Sequence, residues 1–544
     1  MLGWLRQYRR AWLPGDIGAG LVVALMTVPQ GMAYALVAGL PPVAGLYASI
    51  APALLYALFG SSMTQSVGPA AITSLMTAAL LTPLAAPGSG LYGVLAAQLA
   101  LMAGAVLLLC GALRVGFLAN FFSRPVMNGF TLAVALVIAH GQLAPMLGGA
   151  LAHPHPPSAA LGVGALVLLL LAKRYLAALL VRAGLAPGPA QICARLVPML
   201  LVLGATALVA LAHLDAAGVR VTGVVPGGLP GLNLATSRAH WGALAQPALL
   251  VGFMIFLMSM SAAQTLALKR QEKLHSNAEL IGLGAANVAS ALCGAFPVTG
   301  SMSRSAVNFA AGAHSPLASV ISALVLMAAL LAPTGWLALL PLPVLAATII
   351  VAVLGMLELS TLRTAWRYDR GDALALLATA AGVLVLGVEA GVVVGVALSM
   401  GTLIWRASRP NIAVLGRIAG TEHFRDIERH GGYTMPGLLM LRIDANLFFG
   451  NVEAVNTRIE DELAAHPQLR DLVLVMTAVS SIDTSALFAL GELNDMLRQR
   501  GVGLHLAEVK GPVLDRLKNS ALPAALNGQV YLSALKACEA LARP

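Results

Sequence analysis

Arg304 is the one formal charge between Leu280 and Leu357, and it stands in Gly300-Ser301-Met302-Ser303-Arg304-Ser305-Ala306-Val307-Asn308. A guanidinium among apolar residues is costly unless it faces a cavity, a counter-charge or backbone carbonyls. No carboxylate lies near it in sequence. A bound anion is one partner that fits, and a structural tether to carbonyls is the other. Gln30 and Tyr34, in Pro29-Gln30-Gly31-Met32-Ala33-Tyr34, stand one helical turn apart, so their polar tips can share a face. They could donate hydrogen bonds to an oxyanion, or serve as a packing glutamine and an interfacial tyrosine. His140 and His314 could titrate, but a lone histidine in an apolar helix reads first as packed and neutral. No nucleophile is paired with a base, so the chain does not read as an enzyme. Cys110, Cys193, Cys293 and Cys538 have no metal spacing and suggest no disulfide framework, and no cofactor is implied.

These side chains belong to a chain in which 10% of residues are charged and 58% are apolar, against roughly 25% charged in soluble domains. Between Ile17 and Leu113 there is no Asp, Glu, Lys or Arg. Such stretches suit a bilayer, where runs of about 20 apolar residues span the hydrocarbon. Turn residues and charges divide them into fourteen segments: 17–40, 43–60, 66–82, 91–113, 124–145, 158–173, 192–213, 245–268, 278–296, 301–314, 316–335, 342–358, 372–388 and 390–408. Arg6, Arg9 and Arg10 precede a run too long for a signal peptide, which reads as the first retained helix. With the N-terminus inside, thirteen of the Lys and Arg between Arg114 and Arg409 fall on the cytoplasmic side, leaving Arg220 and Arg238 outside. The positive-inside rule expects that asymmetry. An even helix count puts the C-terminus in the cytoplasm as well, across a bacterial inner membrane. The excess positive charge flanks apolar helices, which argues against nucleic acid as a partner.

Two segments are short and open on Gly or Pro: one begins Ser66-Val67-Gly68-Pro69, the other Val298-Thr299-Gly300-Ser301. Each is third in a seven-segment half, 17–213 or 245–408, and an odd count gives the halves opposite orientation. Paired, interrupted segments in inverted halves point to a substrate site at the midplane. A half-helix starting there presents free N–H groups and its positive dipole end, which suits an anion. A simple kink is the alternative for either segment alone.

The chain resembles the SulP sulfate-permease family, bacterial relatives of the animal multifunctional anion exchangers and of prestin. The resemblance rests on Pro29–Ala35, Gly39–Tyr47, Ser66–Pro69, Asn277–Gly284, Phe296–Asn308 and the tail, and so spans nearly the whole sequence. It implies fourteen helices in two inverted repeats, core and gate domains, a homodimer and an elevator-type motion. It also implies an anion between the third and tenth helices. Gln30 and Tyr34 match family positions lining it, Ala70 falls near the third-helix contact, and Ser303 and Arg304 match the pair beside it on the tenth helix. One departure stands out. Many members carry an acidic residue on the eighth helix where this chain has Met258, and the eighth segment holds no Asp or Glu. A thioether neither carries a proton nor usefully ligates sodium, so exchange or facilitated flux is expected instead of cation-driven transport.

From Pro410 to Pro544 the chain has 13 basic and 15 acidic residues and turns to alternating strands and helices. After a linker, 409–435, apolar runs at Leu438–Ile443, Leu472–Met476 and Leu504–Val509 read as strands, and stretches near 452–465, 485–499 and 511–519 as helices. Residues 436–544 thus form a small α/β domain, and Ser481-Ile482-Asp483-Thr484-Ser485-Ala486-Leu487 resembles the STAS signature. Asp483 or Thr484 can cap the next helix. Thr484 and Ser485 occupy the region phosphorylated in some relatives, and plain capping in a folding or dimer-support module is the simpler reading. A cytoplasmic partner of this domain is a further expectation.

The function expected is secondary transport of a small anion by residues 1–408, with sulfate first and bicarbonate or C4-dicarboxylates behind. An uncoupled channel-like protein or an anion sensor acting on the STAS domain is the alternative within the fold. A nucleobase permease reads a neutral base with buried carboxylates, which this chain is expected to lack.

Overall fold

The computed structural model describes residues 3–117, 123–233 and 235–542. It divides into two compact units, Met1–Ser399 and Met400–Pro544.

Fourteen membrane helices follow the segments read from sequence: α1 (Leu13–Val37), α2 (Pro42–Phe59), α3 (Ala71–Leu81), α4 (Gly90–Ala112), α5 (Arg124–Gly141), α6 (Pro156–Leu171), α7 (Pro187–Ala212), α8 (Trp241–Arg270), α9 (Ser276–Leu292), α10 (Met302–Ala310), α11 (Leu317–Leu331), α12 (Leu342–Leu354), α13 (Arg370–Leu386) and α14 (Val388–Ser408). Among the described residues seven helical spans are long and apolar enough to cross a membrane, those of α1, α2 and α4–α8. The helix ends follow local chemistry. Ser89 and Ser123 cap α4 and α5 by accepting from Tyr92 N and Val126 N, and Pro42, Pro156 and Pro187 open their helices, where no N–H is needed. A second, amphipathic helix, Leu359–Tyr368, precedes α13 and ends in Arg367.

Packing sorts these helices into two bundles. In the first, α9 lies against α2 and α4, α8 against α4, and α11 against α1 and α2; in the second, α12 packs on α5 and α6, and α13 on α5. Within each bundle glycines let backbones touch. A Cβ at Gly104 (α4) would stand 2.9 Å from the Gly284 carbonyl oxygen (α9), and one at Gly20 (α1) 2.7 Å from that of Ala318 (α11). In the second bundle, Cβ atoms at Gly129 and Gly391 would come within 2.2 Å of Leu376 O and 2.6 Å of Val383 Cα, both on α13. These contacts interlock helices and resist sliding. Among the described helix glycines, each such backbone approach lies inside one bundle.

The third helix of each repeat is short and is preceded by a two-residue strand, β1 (Val67–Gly68) before α3 and β2 (Thr299–Gly300) before α10. β1 and β2 pair antiparallel, Val67 with Gly300 and Gly68 with Thr299, as inverted repeats related by a two-fold axis require.

The second unit carries a six-stranded sheet in the order β4-β3-β5-β6-β7-β8: β3 (Ile412–Arg417), β4 (Phe424–Asp426), β5 (Leu438–Ile443), β6 (Asp471–Val475), β7 (Gly503–Ala507) and β8 (Val530–Tyr531). β5 through β8 run parallel. Helices α15 (Val452–Ala465), α16 (Thr484–Gln499), α17 (Gly511–Lys518) and α18 (Ala534–Leu541) complete it. Leu439, Leu441 and Ile443 pack toward Ile459 and Leu493, while Leu438 and Met440 pack toward Ala537 and Cys538. Both faces of β5 are covered, which is why it reads as an unbroken apolar run. Residues 409–435, expected as a linker, instead supply β3 and β4: β3 pairs with β5, and β4 forms the edge beyond it. The apolar Ile412–Leu415 stretch is the signal, obscured by its nearness to the preceding membrane helix.

Candidate functional site

The paired strands bring the starts of α3 and α10 together. Ser301 N donates to Ser66 O (2.9 Å), Ser66 N to Ser305 Oγ (2.8 Å), and Asn308 Nδ2 to Thr64 O (2.9 Å). β2 is also held from behind. Gly300 N donates to Ser259 Oγ at 2.8 Å, Thr299 Oγ1 to Ile255 O at 3.1 Å, and Val298 N to Asn287 Oδ1 at 2.9 Å. Ser301 caps α10 by accepting from Arg304 N.

Arg304 lies in the first turn of α10 and is 1% exposed, yet among the described residues its Nε, Nη1 and Nη2 have no hydrogen-bond partner. A guanidinium with no acceptor in a dry interior would be strongly destabilising. Its open face therefore suits an acceptor brought from outside. Gly68 lies against it: a Cβ there would sit 3.0 Å from Nη2 and 3.7 Å from Ser49 Oγ. Tyr34, 6% exposed, is within electrostatic reach of Arg304. One turn away on α1, Gln30 buries an unpartnered Oε1. Ala70 is the N-cap residue of α3, in extended backbone, so the free N–H end of that helix opens beside it. Ser303 is exposed, its Oγ 3.3 Å from Ser301 Oγ. The site residues named from sequence thus lie on α1 and at the starts of α3 and α10, and α1 packs against both half-helices.

Met258 on α8 is partly buried against the apolar core, and its neighbour Ser259 makes the polar contacts to β2. His140 and His314 are exposed, and His314 stacks on Trp12 with ring centroids 5.9 Å apart.

The expected lack of buried carboxylates is overturned. Asp16 and Glu279 are both 0% exposed. Each is surrounded by donors from the opposite repeat. Glu279, on α9, accepts from Tyr56 Oη (2.6 Å), Ser61 N (2.8 Å), Ser61 Oγ (2.7 Å) and Ser62 N (3.0 Å). Asp16, on α1, accepts from His314 N (2.7 Å), Ser315 N (3.0 Å) and Ser315 Oγ (2.6 Å). One clamps the loop leading into β1, the other the loop leaving α10. Both oxygens of each carboxylate accept from protein donors, so both residues serve as clamps between the repeats. Sequence reasoning missed both, together with Ser66, Ser259, Ser305 and Asn308. The polar spelling of Ser61–Ser66 and Thr299–Asn308 within apolar surroundings was the available signal.

In the second unit Asp483, not Thr484, caps α16, accepting from Ala486 N (2.8 Å) and also from Phe449 N (2.9 Å). Thr484 and Ser485 are exposed on the first turn.

The sequence profile of the sulfate permease family matches residues 13–379, and that of the STAS domain matches residues 431–534. A Mycobacterium tuberculosis protein named "Probable sulfate transporter" is 38% identical over 536 residues, 95% of this chain and 93% of its own. "Sulfate transporter 4.1, chloroplastic" from Arabidopsis thaliana is 34% identical over 531 residues, 93% of this chain and 76% of its own. The structure titled as the murine Slc26a9 anion transporter in the inward-facing state matches with a TM-score of 0.86 at 23% identity, over 99% of this chain and 93% of that one. The transmembrane domain of a cyanobacterial bicarbonate transporter, BicA, matches with a TM-score of 0.60 at 22% identity, over 71% of this chain and 98% of that one. At those identities the two structures bear on the fold alone.

Proposed function

The chain belongs to the sulfate permease family, and from that premise we propose that it is a membrane carrier of small anions, sulfate foremost. The observation that carries this is Arg304, buried and unpartnered where two half-helix N-termini meet. Its guanidinium supplies charge and a planar fork of donors, and the helix ends add oriented N–H groups. Tyr34 and Gln30 line the pocket from α1, and Ala70 and Ser303 border it at the helix starts. Carboxylates already engaged by protein donors weigh against a nucleobase. The names of the curated relatives favour sulfate.

The glycine interlocks inside each bundle support an elevator-type cycle, in which the bundle holding the pocket moves past the other as a body. Met258 offers no proton or sodium ligand, so the reading is anion exchange. A homodimer in a bacterial inner membrane, with both termini cytoplasmic, completes the proposal.

The experiment is uptake of isotope-labelled sulfate into proteoliposomes loaded with unlabelled chloride, bicarbonate or succinate, with and without proton and sodium gradients. Uptake driven by internal anion and indifferent to both gradients is expected. Uptake of labelled bicarbonate or succinate in place of sulfate would change the substrate, and flux without counterflow would replace the carrier with a channel.

A further inference from the structure

A second arginine stands inside an apolar helix with no part in the pocket described above. Arg195 is the single charged residue of α7, in Ile192-Cys193-Ala194-Arg195-Leu196-Val197-Pro198. Its Nη1 donates to the carbonyl oxygen of Ala306 at 3.2 Å. Ala306 lies on α10, two residues beyond Arg304; α10 packs on α1 and α8 of the first bundle and α7 packs on α6 and α12 of the second, so this bond runs from the second bundle to the first. α7 packs on both α1 and α10, but its glycines at 188 and 204 meet nothing within 4 Å. No backbone interlock from α7 glycines backs up the contact.

The acceptor matters as much as the donor. α10 is fastened to its own bundle through Ser66, Ser305 and the Asn308 bond to Thr64 O. A pull on Ala306 is therefore a pull on the whole anion-holding bundle. A charge-assisted hydrogen bond to a carbonyl is stronger than a neutral one, the more so away from water. Arg195 is only partly buried, and among the described residues no carboxylate pairs with it.

We propose that Arg195 is a positioning residue for transport: its hydrogen bond to Ala306 latches the anion-holding bundle to the other, and releasing it limits turnover. The inference rests on the elevator reading above. Among the described residues the hydrogen bond of Arg195 goes to the Ala306 backbone and to no side chain of the pocket, so the latch acts on rate and leaves affinity alone.

The test compares the full-length parent with Arg195→Met, which keeps the apolar stem and removes the donor, and Arg195→Lys, which keeps a cationic donor. Sulfate exchange at saturating anion is measured in proteoliposomes, sulfate affinity by titration in detergent, and amide hydrogen exchange over residues 302–310. The Met variant is expected to turn over at least about threefold faster with affinity within about twofold of the parent. Amide exchange in α10 should be faster, and the Lys variant should restore all three. Affinity weakened tenfold in the Met variant and restored in the Lys variant would make Arg195 an anion-contacting cation and overturn the latch. Unchanged turnover and amide exchange would also overturn it. If the Met variant does not fold, Arg195→Gln, too short to keep the Ala306 bond, serves the same comparison. Should the parent carry no anion while amide exchange still responds to the Met variant and not to Lys, the Ala306 bond stands but the transport reading falls, and the rate role falls with it.

Discussion

Gly68 and Arg304 meet across the junction of the two repeats: a methyl group at position 68 would stand 3.0 Å from Arg304 Nη2. The neighbour is the far end of a flexible side chain, so Gly68→Ala should fold at little cost. The guanidinium would shift by a few tenths of an ångström into the space an anion needs. Sulfate affinity is expected to fall about tenfold, about 1.4 kcal/mol, with the thermal transition nearly unchanged. Arg304→Ala should lose affinity outright while inserting normally, and unchanged uptake in that variant would remove Arg304 from the site.

Much of this arrangement was legible in the sequence. Charge-free stretches and Gly and Pro at the third segment of each half located α3 and α10, and a lone arginine marked the side chain that lies buried in the first turn of α10. The β1–β2 pairing was not legible, because two-residue strands leave no periodicity to read. Nor were the clamps. Glu279 and Asp16 stand near segment ends, where an acidic residue ordinarily faces water, and their donors lie more than 200 residues away in the chain. Arg195 was passed over because one arginine near a helix start resembles an interfacial charge. In the second unit, the residues following a basic helix end masked β3.

Glu279→Gln should show how much the clamp contributes. Four donors converge on the carboxylate, three of them on one oxygen, and a neutral amide in its place would keep the geometry but lose the charge that strengthens these bonds. Charged hydrogen bonds contribute about 1.5–3 kcal/mol each and are not additive, so a loss of about 3 kcal/mol is expected, read as a lowered thermal transition in detergent. Tyr56→Phe removes one donor and should cost less. A Gln variant as stable as the parent would show that the loop before β1 is held by other contacts.

In the STAS unit Asp483 and its two neighbours should separate cleanly. Asp483→Ala removes the cap of α16 and the bond from Phe449 N, with an expected cost of about 1 kcal/mol. Thr484→Ala and Ser485→Ala change exposed hydroxyls and should leave the denaturation midpoint where it was. A loss at Thr484 equal to that at Asp483 would reassign the cap.

Arg442 and Asp444 give the same unit a pH signature. Nε and Nη2 of Arg442 donate to the carboxylate at 2.5 and 2.9 Å, and these bonds hold the Asp444 carboxyl below its ordinary value of 3.8. A depressed folded pKa stabilises above the unfolded value, and the gain disappears as pH falls through the folded one. The pair is partly exposed, so its contribution is under about 1 kcal/mol. Asp444→Asn should therefore lower the unfolding midpoint slightly above about pH 4, and parent and variant should converge as the pH drops further. A gap that persists in acid would assign the effect to packing.

Met258 carries the sharpest functional expectation. It is partly buried on α8, next to the serine that holds Gly300 N. A carboxylate there would sit in low dielectric, and in the proposed pocket it would share the bundle with the anion, so both burial and like charge would favour its protonated form. In the parent, sulfate exchange should be indifferent to an inward proton gradient. In Met258→Glu the same gradient should speed uptake, because protonation relieves the repulsion that otherwise weakens anion binding. The check is initial uptake rate against internal and external pH for both proteins. A gradient response already present in the parent would mean that another group couples protons to transport, and the absence of a carboxylate at position 258 would then say nothing about the driving force.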